Sequence, residues 1–509
     1  MNKRTFVKNT ALMTATSLLL RTLGIVFRIF ISNRVGAEGM GLYQLVFSVY
    51  VLGATFASSG IVTAVTCLSA EALTRKDGRM LSRVMQLASV ACLLVGTVSA
   101  VLLYGGASLI GGWIGDSRCV PAVAVSGLAL PFIGLSSCYK GYFMARRRAW
   151  PPCLSQLLEQ TVRIGGILWM LGTLWDGSLE QACVIIIVGD ALSETVACVY
   201  LAIAYGVDRQ RVRKQTDTAS STRHGTLRAL LHIAVPLTAG RYLSTALRTV
   251  ENILVPARLT LFTQSDSLSL EQFGAIKGMA LPLVFFPSAL LLTISGLLVP
   301  ELADAHALGQ RRQVARLVEQ TFHLILPTAT LIGCLFAVLG RPLGDLLYEH
   351  SMVGLLLQIL GPLAPIMYLD SVATGMLKGL NEQVHSLLYA VIDSAVRITL
   401  IWLLLPRFGI TGFLFVMVVS NLLTCLLSTG RLLTVSGCVM NWRKWVVTPV
   451  FIALAAGGGW LAVKHVLPLP PLPSLLAGML FVGGVYILLL PLCGCFTKQD
   501  LRQFIARKQ

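Results

Sequence analysis

Arg21 and Arg28 lie seven residues apart in a long apolar stretch near the N-terminus, and Arg241 and Arg248 repeat the pair 220 positions later. An arginine at the depth of the hydrocarbon core costs roughly 2.5–3.5 kcal/mol on the insertion scale, so it is kept where it faces protein or a water-filled path. Its guanidinium presents a planar fork of donors that matches phosphate oxygens, and it stays charged when partly desolvated. Two pairs in register point to a duplicated carrier with a cationic interior that takes an anion. Arg163 and Arg397 belong to the same pattern, since Val162-Arg163-Ile164 returns as Val396-Arg397-Ile398, each a few residues before a Trp.

Neighbouring carboxylates offer these arginines a second role, as staples between helices. Glu159 is one turn before Arg163, Asp393 one turn before Arg397, and Glu251 three residues after Arg248. Arg21, Arg28 and Arg241 have no acidic residue within four positions, so the anion site is expected to lean toward the first and seventh spans. Glu251, Asp370 and Asp393 are the candidates for a coupling Na+ or H+, although a structural salt bridge is the favoured reading of each. Lys140 and Lys277, near span ends, are read as snorkelling to the interface. No residue is assigned to catalysis, since the seven histidines are scattered. Cys493-Gly-Cys495 lacks the second pair a zinc site needs, and no metal or other cofactor is expected.

Long apolar helices must carry these groups. With 55% hydrophobic and 13% charged residues over 509 positions, the chain is too apolar for a soluble protein of its length. Apolar runs of about 20 residues recur throughout, which predicts an all-α polytopic membrane protein of about 14 transmembrane helices. Arg21, Arg163, Arg241 and Arg397 lie about 11–13 residues from the inner ends of their spans, roughly 16–20 Å deep. In span one, Thr14, Ser17, Arg21, Gly24 and Arg28 recur at steps of three and four, as do Thr238, Arg241, Thr245, Arg248 and Asn252 in span seven. Each series is one polar stripe on an otherwise apolar helix.

Four sequence echoes at offsets of 220–238 divide the chain into an N-terminal six-helix lobe at 1–205 and a C-terminal six-helix lobe at 229–430. A cytoplasmic linker at 206–228 joins them, and helices 13 and 14 with a tail occupy 431–509. An even helix number gives the halves the same orientation, so the repeats are parallel, pseudo-symmetric about an axis along the membrane normal. Most of the 41 Lys and Arg residues fall in loops on one side, among them Arg146-Arg147-Arg148, which places that side and both chain ends in the cytoplasm. The net charge of +18 is thus a matter of orientation and anionic lipid, and no nucleic acid partner is expected.

The segments Lys8-Asn-Thr-Ala-Leu-Met-Thr-Ala-Thr-Ser-Leu-Leu-Leu-Arg21, Arg34-Val-Gly-Ala-Glu38-Gly-Met-Gly-Leu-Tyr-Gln44, Gln156-Leu-Leu-Glu-Gln-Thr-Val-Arg163 and Glu251-Asn-Ile-Leu-Val-Pro-Ala-Arg258 resemble a known family. It is that of stage V sporulation protein B and the polysaccharide-export and lipid II flippases, within the multidrug/oligosaccharidyl-lipid/polysaccharide exporter superfamily. The resemblance implies two six-helix lobes around a central cavity and alternating access in a bacterial plasma membrane. It also implies export of an undecaprenyl-diphosphate-linked glycan, with Arg21, Arg28 and a seventh-helix arginine on the diphosphate. Partners would be the lipid bilayer and cell-wall synthesis proteins, and the carrier is expected to be a monomer. The family often has Asp where this chain has Glu251, and a Lys near the end of span two where this chain has Cys67 and its neighbours.

Two other functions fit the same architecture. A cation-coupled multidrug exporter would use lobe-buried carboxylates such as Glu159, Asp190 and Glu194. A membrane-embedded glycan polymerase or ligase needs acid and base residues on a sizeable loop, and the outer loops here are short.

Overall fold

The computed structural model describes residues 3–58, 60–213, 226–466 and 470–495, and these are helical with short connections. In chain order the helices are α1 (Lys3–Ser58), α2 (Ile61–Thr74), α3 (Gly78–Ile114), α4 (Val120–Ser126), α5 (Leu130–Ala145), α6 (Trp150–Thr173), α7 (Leu179–Arg213) and α8 (Thr226–Thr263). There follow α9 (Asp266–Phe273), α10 (Leu281–Phe285), α11 (Ser288–Ala307), α12 (Arg311–Leu347), α13 (Ser351–Leu360), α14 (Ala364–Gly379), α15 (Gln383–Ser436), α16 (Thr448–Val466) and α17 (Pro471–Leu492). Of the segment 206–228, the part up to Arg213 continues α7, while 214–225 lie outside the described residues, as does the tail from 496.

Ten stretches among the described residues are long and apolar enough to cross a membrane, so the protein is a multi-pass membrane protein. Two of the ten contain a double helix: α1 breaks at Gly36 (φ 78°) and α15 at Gly409 (φ 57°), conformations that favour glycine. Neither α6 nor α8 is among the ten, because Glu159 and Arg163 in one and Arg228, Arg241, Arg248 and Glu251 in the other hold their hydropathy down. Side chains such as Val90, Leu94, Val101, Leu102 and Leu109 on α3 stay exposed. That is how an apolar helix behaves when its outer face is solvated by lipid.

The chain packs as two compact units. One comprises the chain up to Arg28 and Glu38–Gly274, the other Ile29–Ala37 and the chain from Ala275 on. Sequence echoes place the division within 206–228, whereas packing places α8 in the first unit. In that unit Val65, Leu68, Met85, Cys138, Tyr142, Phe143, Leu201 and Leu230 form a core shared by α2, α3, α5, α7 and α8. At one edge Asp208 is buried and accepts from Tyr142 Oη at 2.8 Å, Arg146 Nε at 3.0 Å and Arg148 Nη1 at 2.7 Å. These bonds tie the basic end of α5 to α7. In the second unit Leu339, Ala456, Trp460, Leu475 and Val482 join α12 to α16 and α17.

Candidate functional site

Five of the six singled-out arginines fall into two groups. Arg21 on α1 and Arg241 and Arg248 on α8 are exposed, and their guanidinium groups have no ion-pair partner among the described residues. The pairing expected for Arg248 with Glu251 is not formed, although Glu251 is buried. All three belong to the first unit. Arg163 and Arg397 instead sit in ion pairs.

Arg163 Nη2 lies 2.9 Å from Glu159 Oε1 on its own helix, and Arg163 Nε lies 2.8 Å from Asp190 Oδ1 on α7. The second contact is an ion pair and not an aligned hydrogen bond, because the Nε–H points off that line. Lys140 Nζ on α5 reaches Glu159 Oε2 at 3.9 Å, so this lysine takes part in the cluster instead of snorkelling. Tyr43 lies within electrostatic reach of both Asp190 and half-buried Arg28. Charges on α1, α5, α6 and α7 thus meet inside the first unit and largely neutralise one another.

The second unit holds a related arrangement. Arg397 Nη2 lies 3.2 Å from Asp393 Oδ2, and Arg397 Nε and Nη2 donate to Ser420 Oγ at 2.9 and 2.6 Å. The Ser420 hydroxyl in turn donates to Asp393, while two turns on Ser428 Oγ donates to Asp370 Oδ1 at 2.7 Å. Lys277 lies on a π-helical turn, Gly274–Ala280, with its ammonium 5.9 Å from the centre of the Phe413 ring. The helix that carries Lys277 begins at Asp266, about 16 Å earlier along its axis.

Polar residues hold α8 against the segment around Gly60. Asn252 Nδ2 donates to Ser48 Oγ at 2.8 Å, and Thr249 Oγ1 donates to the Ser48 carbonyl at 3.1 Å. Thr55 and Thr245 bring their hydroxyls within 3.5 Å, and Phe56 meets Tyr242 edge-on with ring centres 5.6 Å apart. The polar stripe of α8 was legible as a periodicity, but its role as a packing seam was not, since Ser48 and Thr55 carry no charge to draw attention. Asp190 stood out as an acid in an apolar span, without a signal naming Arg163 as its partner.

A model of the family described as "Polysaccharide biosynthesis protein" matches residues 6–306. The chain is 23% identical to stage V sporulation protein B of Bacillus subtilis (strain 168), over 99% of this chain and 98% of that one. Its fold is similar to that of the lipid II flippase MurJ in an inward closed conformation, with a TM-score of 0.70, 14% identity, and coverage of 94% of this chain and 97% of that one. An inward-facing multidrug resistance MATE family transporter of the MOP superfamily gives a TM-score of 0.63 at 16% identity, covering 83% and 96% of the two chains.

Proposed function

The chain belongs to the polysaccharide biosynthesis protein family, and we propose that it carries an undecaprenyl-diphosphate-linked oligosaccharide across the bacterial plasma membrane by alternating access. The leading substrate is the peptidoglycan precursor lipid II. The observation that supports this reading is the set of exposed, unneutralised guanidinium groups of Arg21, Arg241 and Arg248. A diphosphate brings oxygens spaced for the guanidinium fork and the negative charge such a set lacks. Arg28, seven residues further along α1, is the further arginine proposed to engage the diphosphate.

Arg163 and Arg397 take a positioning role in this reading, because carboxylates already neutralise them. The same pairings disfavour a multidrug exporter, whose organic cation would have to displace Arg163 from Glu159 and Asp190. Coupling to Na+ or H+ at Asp393 would require displacing Arg397 in the same way, and at Asp370 it would involve the Ser428 hydroxyl, while Glu251 is the third carboxylate proposed for that role. The protein performs no covalent step in this account.

A flipping assay in reconstituted vesicles tests the proposal, with lipid II compared against undecaprenyl-diphosphate glycans lacking the peptide. Arg21→Ala and Arg241→Ala are expected to abolish translocation while insertion and melting stay unchanged. Full activity of both variants, or no movement of either lipid by the parent protein, would sink it.

A further inference from the structure

We propose that Lys76 and Arg147 form a capture site for the diphosphate headgroup of the cargo lipid at the basic end of the first unit, apart from the arginines of α1 and α8. This rests on the reading of the protein as a carrier of a diphosphate-linked lipid, and on the positive-inside rule, which puts that end at the cytoplasmic leaflet.

Backbone conformation singles the two residues out. α2 and α5 close with the same two-bond turn: the amide of Lys76 donates to the Leu73 carbonyl and that of Asp77 to Ala72, while the amides of Arg147 and Arg148 donate to Met144 and Phe143. The first residue of each pair takes the left-handed conformation, for which glycine or asparagine is usual. Here the residues are Lys76, at φ 55°, and Arg147, at φ 54°. The same turn closes α11 with Gly309 (φ 68°) and α14 with Asn381 (φ 62°), which lie 233 and 234 positions later in the repeat. The second unit thus holds the residues that the turn favours, and the first unit two cations that it strains. Among the described residues, the remaining non-glycine position with positive φ is Gln264, which carries no charge. Strain of this kind gathers at functional sites.

The adjacent cations are already engaged. Arg75 pairs with Glu71 at 2.9 Å, and Asp208 takes Arg146 at 3.0 Å and Arg148 at 2.7 Å. Lys76 and Arg147 are exposed. Their helices pack side by side, with Thr66 Oγ1 donating to the Gly141 carbonyl at 3.1 Å. Beyond that contact α2 runs on for about 12 Å and α5 for about 6 Å, so both turns lie at one end of the pair. Met144 and Trp150, on either side of Arg147 in sequence, are exposed as well, and an exposed Trp beside a basic turn marks the level of the lipid headgroups. Bulk anionic lipid would be met by flexible side chains on both units without backbone strain. A fixed lysine and arginine on one unit suit a ligand with two adjacent phosphates, one met by a point charge and one by the guanidinium fork.

Undecaprenyl diphosphate is the probe, its binding to the full chain in detergent read by native mass spectrometry. Arg21→Ala/Arg241→Ala serves as a background without the α1 and α8 site. That background is expected still to bind the lipid, and adding Lys76→Gly/Arg147→Gly to it should weaken binding about tenfold. The glycines should leave the melting temperature at or above that of the background, because they relieve both turns. Lys76→Arg/Arg147→Lys, which keeps the charges, should bind as the background does. Four results would each overturn the proposal: no binding by the background, binding unmoved by the glycines, a lower melting temperature with them, or full displacement of the probe by a tenfold excess of phosphatidylglycerol. In vesicles, the glycine pair in the otherwise parental chain should raise the lipid II fraction at half-maximal flipping several-fold, and an unmoved half-saturation would also overturn it. If the parent flips neither lipid II nor the glycans lacking the peptide, the carrier reading fails by itself, and the binding series still decides the capture site.

Discussion

Arg163 bridges two helices: it lies 2.8 Å from Asp190 Oδ1 on α7 while holding Glu159 at 2.9 Å on α6. Removing the guanidinium leaves buried Asp190 without its cation and Glu159 with only Lys140 at 3.9 Å. Arg163→Leu is therefore expected to destabilise the protein by about 3 kcal/mol, read as an early thermal transition in detergent. Arg21→Ala removes no such partner and should melt within about 0.5 kcal/mol of the parent. Equal melting of Arg163→Leu and parent would contradict the pairing.

The second unit allows a coupling measurement. Ser420 accepts from Arg397 and donates to Asp393, so Ser420→Ala removes bonds at both ends and should cost about 1–2 kcal/mol. The loss in Asp393→Ala/Arg397→Ala should fall short of the sum of the two single losses by about 1 kcal/mol or more. Strict additivity would mean that the pair does not interact.

Two glycines in the left-handed region separate strain from collision. At Gly36 an added Cβ meets nothing within 4 Å, whereas at Gly60 it meets the Ala234 carbonyl oxygen at 2.4 Å. Gly36→Ala should thus cost about 1 kcal/mol from backbone strain alone. Gly60→Ala should cost clearly more and loosen α8, which limited proteolysis would register as faster cleavage near Arg228.

Charge and geometry can be told apart at Arg241. A lysine keeps the charge but gives up the planar fork that engages two oxygens at once. Arg241→Lys is expected to flip lipid II about tenfold more slowly than the parent, where Arg241→Ala flips none. Parental rates for the lysine variant would indicate that charge alone suffices.

Asp208 gathers Tyr142, Arg146 and Arg148 at the basic end of α5. Asp208→Ala should free this segment, so trypsin cuts faster after Arg146–Arg148 while the reconstituted protein still flips lipid. Unchanged cleavage would deny the carboxylate that role.

The helical, membrane-spanning character of the chain was legible because period and length are local properties: runs of about 20 apolar residues admit little else. Pairing within one helix was equally legible for Arg163 and Arg397, since their carboxylates sit one turn away. At Arg248 the similar spacing to Glu251 gives no ion pair between the two. Contacts between distant segments, such as Asp190 with Arg163 or Ser48 with Asn252, have no sequence period to announce them. The position of Lys277 within its helix was not legible for another reason. Ser265 caps α9 through the amide of Leu268, so the helix starts well before the apolar run does.

The breaks at Gly36 and Gly409 join two helices each with no intervening loop. Each pair of spans is therefore joined at a single glycine, and the polar residues that accompany the joint are few: Asn33, Arg34 and Glu38 at the first and Arg407 at the second. Such pairs suit joint entry from the translocation machinery.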